Sequence, residues 1–547
     1  MQVALQAVLP ADDAAQRVLY QDVDPASPPE SGGGAKVYPG GHFRSAEDVA
    51  RRLAHLDSQH ARAGLADFLR RENGFAPLTS EQQASLEAAG APGAVFMLTG
   101  QQPGLLGGPM LWYYKALTCA ALAREWSARL SRPVIPIFWV AGDDADLREC
   151  NHLELLDADA GSVPGPLRLP FPDSALPLAM GERRLDPEGM ADLLRRLASI
   201  WRPGTLESLS RHYPDHCSLS DGFLRLAQSR LGREGILFVD GYSRELRSRV
   251  RPVLDAAVSD WHGHQDALLR GTAAAEAAGI PAQVELRPGV VHAFALLNGE
   301  RRRLFAEKTA SGTGTVYMPE RPGHDLRAEL PGMELSHDVF TRPLAADALF
   351  PVLGHVLGPA ELRYFAQLAP LFLSATGDMP LVHPRMSAAV APAAAFEAFR
   401  AEGLELRDSL RMGPSGLRSL LAQRHWRTHP ASTALSAAPA EEWLAGLRAV
   451  HDRHFGDAGP FERLERSLGV SWKRYLRSVE RLAFAAEAGN KRALFDHLRW
   501  LGNGMGQDRH LGLGSLIDAL GEDGFQALRK AIDPTRAELQ LLAFERG

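Results

Sequence analysis

The sequence predicts an α/β fold organised around a parallel sheet, and three features carry that prediction. A short apolar run at residues 94–98 ends in Thr99-Gly100, a glycine-rich stretch from Gly100 to Gly108 opens into an amphipathic segment reaching residue 130, and a second apolar run fills 134–140. Strand, loop, helix and strand within about 50 residues form a βαβ unit, whose right-handed crossover makes its strands parallel.

The other elements follow in chain order. Residues 1–90 mix polar loops with helical pattern, broken by a Ser-Gly stretch at 31–35, with helices expected over 61–72 and 79–89. Thr79-Ser80-Glu81-Gln82 has the spacing of a capping box. Pro109 suits the first turn of the helix that ends near 130, because its missing N–H would be unpaired there anyway. Along that helix Leu111, Tyr114, Leu122, Trp126 and Leu130 share one broad face. Residues 235–240 (GILFVD) read as a third buried strand, and 279–305 alternate around Asn298-Gly299, a hairpin signal. Apolar stretches at 349–357 and 379–382 return the chain to the core. Beyond Ser387 the pattern is almost wholly helical, and 440–455 with 461–505 are long enough for a helical hairpin. The units expected are therefore an N-terminal helical and loop segment at 1–90, a first core half at 91–160, connecting insertions at 161–330 that include the strand at 235–240, a second core half at 331–390, a helical hairpin or coiled coil at 391–505 and a C-terminal helical segment at 506–547.

The totals restrict function. At 547 residues, 45% hydrophobic and 23% charged, the chain has a globular balance, and its net charge of −6 lacks the basic excess of a broad nucleic-acid footprint. Its three cysteines, Cys119, Cys150 and Cys217, form no CxxC pair, so neither structural zinc nor a disulfide framework is expected. No apolar run has the roughly 20 residues of a membrane span, and the first residues do not read as a signal peptide. A reducing cytoplasm is the expected home. Only 6 of the 60 basic residues are lysine, which makes each lysine mildly informative.

Several segments could carry chemistry. The Gly100–Gly108 loop lies at the carboxyl end of a strand, where open α/β sheets bind ligands, and its amides could favour phosphate or carboxylate; a tight turn that needs glycine explains it equally well. Lys115 falls inside the apolar stripe of the following helix, either as a stem covering the core with its head in water or as a cation aimed into a ligand crevice. Asp143, Asp144 and Asp146 crowd the end of the next strand, where a cation or amine would relieve their repulsion, and Asn151 and His152 follow. Arg342 and Arg385 could grip a carboxylate or phosphate with two parallel hydrogen bonds.

Taken together and in order, these segments resemble one family. TGQQPGLLGGP with Tyr114-Lys115, then PVIPIFWVAGDDADLRECNH, are similar to the signature of the bacillithiol biosynthesis cysteine-adding enzymes, BshC. ELSHDVFTRP, GPAELRYFAQL and HPRMS resemble that family's second cluster, and GQDRHLGLGSLIDALGEDGF its C-terminal segment. The resemblance implies a Rossmann-like nucleotidyltransferase core, related to class I aminoacyl-tRNA synthetases, with a C-terminal helical hairpin supporting a homodimer. It implies a carbon–nitrogen ligase that joins cysteine, through its carboxyl group, to the amine of glucosaminyl-malate. ATP is then the expected activator, through an adenylate or acyl phosphate, with Mg²⁺ as its companion and no metal site made by the protein alone.

Residue roles follow from the same resemblance. Thr99, Gly100, Gln101, Gln102, Gly104, Gly108 and Pro109 would cradle phosphate or the malyl carboxylates, helped by Lys115 and Arg385. Asp143, Asp144 and Asp146 would hold an amino group or Mg²⁺, with Asn151 and His152 completing that wall. Ser336, Arg342, Asp347, Glu361 and Tyr364 would contribute to substrate binding from the second cluster. Ser387 stands where relatives of the fold carry a mobile nucleotide loop, here without its lysines. Two positions depart from the family pattern: Ala145 replaces the histidine of Glu-Asp-His-Asp, and Ala346 replaces the glutamine before Asp347. They leave open an ATP-dependent ligase or nucleotidyltransferase acting on another amine and acid, or a catalytically silent relative that binds nucleotide or sugar.

Overall fold

The apolar runs at 94–98, 134–140, 235–240, 349–357 and 379–382 all become strands of one sheet. A computed structural model of the chain describes residues 2–9, 37–59, 64–155, 166–308, 314–321, 324–404, 437–455 and 512–545, with isolated positions elsewhere. In chain order the central elements are β1 (Val95–Gln101), α1 (Leu111–Leu130), β2 (Val134–Val140), β3 (Leu237–Asp240), α2 (Thr341–Leu349), β4 (Val352–Leu357), α3 (Pro359–Thr376) and β5 (Leu381–Pro384). The strands are parallel in the order β5-β4-β1-β2-β3. The strand at 235–240, expected among the connecting insertions, is thus an edge of the central sheet.

Both faces of this sheet are covered, which is why its strands are apolar throughout rather than alternating. Val95 and Met97 of β1 pack with Cys119, Leu122 and Trp126 of α1 on one face. Phe96 and Leu98 pack on the other with Leu246, Val250 and Leu254 of the helix Arg244–Ser259 and with Ala345 and Ala346 of α2. The chain runs outward from β1 to β2 and β3, then returns to the far side of β1 as β4. This reversal is a topological switch point, and the crevice beyond the carboxyl ends of β1 and β4 is where such sheets place their ligands.

Local signals read from sequence appear as expected. Thr79 caps Ser80–Ala89 in a capping box with Gln82. Asn298 (φ 52°) and Gly299 (φ 80°) join Val290–Leu297 to Glu300–Lys308, both in the left-handed region that a two-residue hairpin turn needs. That hairpin belongs to an antiparallel sheet in the order Glu334–His337, Val290–Leu297, Glu300–Lys308, Gly314–Tyr317.

Two expectations are corrected. Beyond Ser387 the chain first forms a strand, Ser387–Pro392, before the helix Ala393–Ala401. It pairs with Leu539–Phe544, which in turn pairs with Val3–Leu9, so both ends of the chain, expected to be helix and loop, enter one three-stranded sheet. Ala437–Phe455 is helical, as is Leu513–Ala531. The expected second arm of the helical hairpin, at 461–505, and the Ser-Gly stretch at 31–35 lie outside the described residues. Among the described residues no helix is long and apolar enough to cross a membrane.

Candidate active site

Lys115 leaves α1 one turn after its start and points back over β1, because that direction is the one helical side chains take. It is 3% exposed and does not reach water. Its ammonium donates to the Gly100 carbonyl at 2.9 Å and to Gln101 Oε1 at 2.7 Å, and it lies 2.6 Å from Glu361 Oε2. Burial pulls the Lys115 ammonium down to about 8, against the opposing pull of Glu361.

Glu361 occupies the first turn of α3, where its carboxylate accepts the Gly358 amide at 2.7 Å and faces the positive end of the helix dipole. Burial disfavours its charge, but Lys115, Arg342 and the Gly358 amide outweigh burial and hold it below the usual carboxylate range. Arg342, from α2, lies 3.6 Å from Glu361 Oε1 and donates to the Tyr364 hydroxyl at 2.6 Å. Arg385 arrives from the end of β5, its amide bonded to Leu357 O at 2.8 Å and its guanidinium to Met386 O and to Ser387 Oγ at 3.0 Å. All three groups meet at Gly358: a methyl added there would stand 3.4 Å from Arg385 Nε, 3.5 Å from Glu361 Oε2 and 3.6 Å from Lys115 Cε.

Thr99 closes the floor of this crevice by donating to Val356 O at 2.9 Å, tying β1 to β4 at the switch point. Gly100 must be glycine: a Cβ would lie 2.6 Å from Trp139 O and 3.3 Å from an Arg342 nitrogen. Ala346, one of the two departures from the family pattern, lines the same crevice with Trp139, Arg342 and His355. The free volume among them is about 20 Å³, room for one water molecule.

A second cluster sits beside it, at the carboxyl ends of β2 and β3. Gln102 donates to Asp144 Oδ2 at 2.7 Å, and Arg301 reaches Asp144 Oδ1 at 3.0 Å and Ser336 Oγ at 3.1 Å. Asp143 is 1% exposed, with His337 Nδ1 3.3 Å from its Oδ2 and an Arg301 nitrogen at 3.9 Å. Asp240, at the end of β3, accepts from Ser220 Oγ at 2.6 Å and from the Tyr242 amide at 2.9 Å. Burial pushes its carboxyl up to about 7 despite those bonds. Among the described residues no group of three His, Cys, Asp or Glu side chains is placed to hold a metal ion.

The remaining residues singled out in sequence lie elsewhere. Asp146 caps the short helix Leu147–Cys150, accepting the amides of Arg148 and Glu149. Asn151 donates to Leu169 O at 3.0 Å and accepts from Arg168 at 2.9 Å, while His152 Nδ1 bonds Arg148 O at 2.9 Å; both are spent on the small ribbon that pairs His152–Leu153 with Leu167–Arg168. The Gly104–Gly108 turn packs against the C-terminal helix Leu513–Ala531. Its amides at Gly107 and Gly108 are used by the carbonyls of Gly104 and Leu105, Leu105 and Leu106 are fully buried, and Gly108 O accepts from the Leu513 amide. Gly107 (φ +92°) packs so closely that a Cβ would lie 2.6 Å from Leu513 Cδ2. Pro109 bridges to Gly512 in the same packing and precedes the helix rather than opening it. Asp347 faces away from the crevice, beside Arg52 at the start of β4.

Sequence reasoning missed Arg301, His337, Asp240 and Trp139. Asp240 had a usable signal, an acid at the carboxyl end of a strand. His337 adjoined a residue already chosen, Ser336. Arg301 reaches the site only through hairpin pairing with Val290–Leu297, which no local pattern displays.

A family model described as "Bacillithiol biosynthesis BshC, N-terminal Rossmann-like domain" matches residues 35–386. Several relatives carry the name "Putative cysteine ligase BshC". That of Exiguobacterium sibiricum is 31% identical over 382 residues, covering 66% of this chain and 68% of the relative. That of Geobacillus thermodenitrificans is 28% identical over 420 residues, 74% of each. For the Shouchella clausii protein, 30% identical over 306 residues, the match spans little more than half of either chain, 55% of this one and 56% of the other.

Proposed function

The chain belongs to the bacillithiol-biosynthesis BshC family, and from that premise we propose that it is a cysteine ligase joining the carboxyl group of cysteine to the amine of glucosaminyl-malate. The observation that carries this reading is the buried Lys115–Glu361–Arg342 cluster at the switch point between β1 and β4. Withdrawing ion pairs from water costs desolvation that their mutual attraction often fails to repay, so stability alone is a weak explanation for such a cluster. Here Lys115, Arg342 and the N-terminus of α3 converge on one internal carboxylate, a donor set that fits an external carboxylate or phosphate equally well.

Amide formation between a carboxylate and an ammonium needs the carboxyl oxygen converted into a leaving group and the amine stripped of a proton. ATP, with Mg²⁺, supplies the phosphorus-bound leaving group when bound. Lys115, Arg342 and Arg385 hold the anionic partner in place of Glu361, in a setting where water is excluded and each charge counts for more. Asp143 and Asp144 receive the amine. In this reading the Rossmann-like sheet acts as a nucleotidyltransferase-type core, and the C-terminal helices pair two copies in a coiled coil. The cytoplasm, where cysteine stays reduced, is its place of work. A second reading, a ligase for another amine and acid, draws on one feature: Ala346 lines the crevice beside Arg342, so a change of side chain there alters the surface presented to substrate.

The test is incubation of the purified protein with cysteine, glucosaminyl-malate, ATP and Mg²⁺, with mass spectrometry of the thiol product. Cysteinyl product that requires both protein and ATP is the expected outcome. ATP-dependent product from a different acid or amine, with none from this pair, would favour the second reading.

A further inference from the structure

Four buried polar atoms collect beside the crevice with no hydrogen-bond partner among the described residues: both carboxylate oxygens of Asp143, Nε2 of His337 and Nε1 of Trp139. Asp143 is 1% exposed, and His337 and Trp139 are each 2% exposed. Buried polar atoms are nearly always paired, so several orphans at one point mark a place built for something else to bond there. The backbone packs closely against it at Gly241. A methyl on Gly241 would stand 2.4 Å from Asp143 Oδ1 and 3.1 Å from Trp139 Nε1.

The groups present define what fits. His337 Nδ1 lies 3.3 Å from Asp143 Oδ2, and the negative charge of the carboxylate favours the ring's proton on that side. Nε2 then carries the lone pair. Arg301 donates to the His337 carbonyl and lies over the Phe294 ring, 3.9 Å from its centroid, which fixes the histidine's backbone. The Trp139 ring, 5.3 Å from the His337 ring, also lines the crevice with Arg342 and Glu361, so the two clusters share a wall. The Asp143 carboxylate and a lone-pair nitrogen are both acceptors and suit an ammonium group, whereas the Trp139 N–H is a donor and would bond a different atom of the substrate.

We propose that His337, oriented by Asp143, is the catalytic base that takes the proton from the ammonium of the amine substrate. The inference rests on the ligase reading and names a proton acceptor for it. Nε2 accepts one proton from R–NH₃⁺, and the freed lone pair forms the C–N bond to the activated acyl carbon. The C–O bond to the phosphate leaving group breaks, the leaving group departs with the electron pair, and the second proton on nitrogen passes to solvent as the amide forms. Burial lowers the His337 pKa from its ordinary value, with Asp143 pulling upward and Arg301 and Arg342 downward. The charged and titratable groups facing it are Asp143 after β2, Arg301 from the hairpin, Arg342 from α2 and its neighbour Asp338. The ring is therefore neutral near pH 7 and able to accept a proton.

The experiment compares wild type with His337→Asn over pH 5 to 8, under the conditions of the product assay, with KM for both substrates and a thermal unfolding curve. Wild-type kcat should fall as the pH drops below the histidine's lowered pKa, because the protonated ring cannot accept. His337→Asn should lose about 100-fold in kcat with KM changed by no more than about threefold, and its acid limb should disappear. Should that variant not fold, Asp143→Asn is read instead; removal of the carboxylate should shift the acid limb to lower pH. Wild-type product together with an unchanged acid limb in the variant that folds would overturn the assignment of the base alone. Absence of product from wild type would overturn the ligase reading and this inference with it.

Discussion

Replacing Lys115 by methionine is expected to abolish product formation, by at least about 100-fold, and to cost about 3–5 kcal/mol of stability. Methionine keeps the stem's apolar contacts but removes the ammonium. Glu361 is then left buried with the Gly358 amide and an arginine 3.6 Å away, and the Gly100 carbonyl loses its 2.9 Å donor. The stability loss comes from the uncompensated carboxylate rather than from packing, so a second change separates the two effects. Lys115→Met with Glu361→Gln should recover much of the stability while activity stays lost, because neutralising the acid restores folding but not the cation. Denaturant unfolding, with product formation per folded molecule, measures both. Recovery of activity in the double variant would assign Lys115 a structural role only.

Arg52→Ala should match that loss of stability and leave the chemistry alone. The Arg52 side chain is fully buried, bonds Val352 O through Nε at 3.0 Å, and pairs with Asp347 and, at 3.3 Å, with Asp378. Its removal takes from Asp347 its Arg52 ion pair and leaves Asp378 to Arg51, at a cost of about 3–5 kcal/mol. This network lies at the amino end of β4, the opposite end of the strand from Gly358 and Glu361. Product formation per folded molecule should therefore stay within about twofold of wild type, since distant sites are close to additive. A midpoint shift in thermal unfolding without a change in KM is the expected signature. A large rise in KM would return Asp347 and its partner to the substrate site.

How far the sequence could be read depends on the range of the interactions involved. β1, α1 and β2 were legible because each is an apolar run of the right length bounded by glycine or proline, and the hairpin because Asn298-Gly299 tolerates positive φ. The strand Ser387–Pro392 was not legible: Ser-Ala-Ala-Val-Ala reads as helix, and only pairing with Leu539–Phe544 about 150 residues away makes it extended. The site divides in the same way. Lys115 stood out as a charge in an apolar stripe, Arg342 as a possible grip for an anion, and Glu361 came with the family resemblance. Asp146, Asn151 and His152 looked like site chemistry, yet their hydrogen bonds are local, a helix cap and a two-stranded ribbon. The same residue types serve both uses, and only partners distant in sequence distinguish them. His337 and Arg301 reach Asp143 and Asp144 from more than 150 residues away, through sheet pairing that has no local signature.

The central claim is that the crevice between β1 and β4 receives the anionic substrate in place of the Glu361 carboxylate. Calorimetric titration of glucosaminyl-malate into wild type and into Arg342→Ala tests it most directly, with circular dichroism to show that both are folded. Binding to wild type that weakens at least about tenfold in the variant is the predicted result, as expected when one member of a buried charge cluster is truncated. Equal affinity in the two proteins would place the ligand elsewhere and contradict the account.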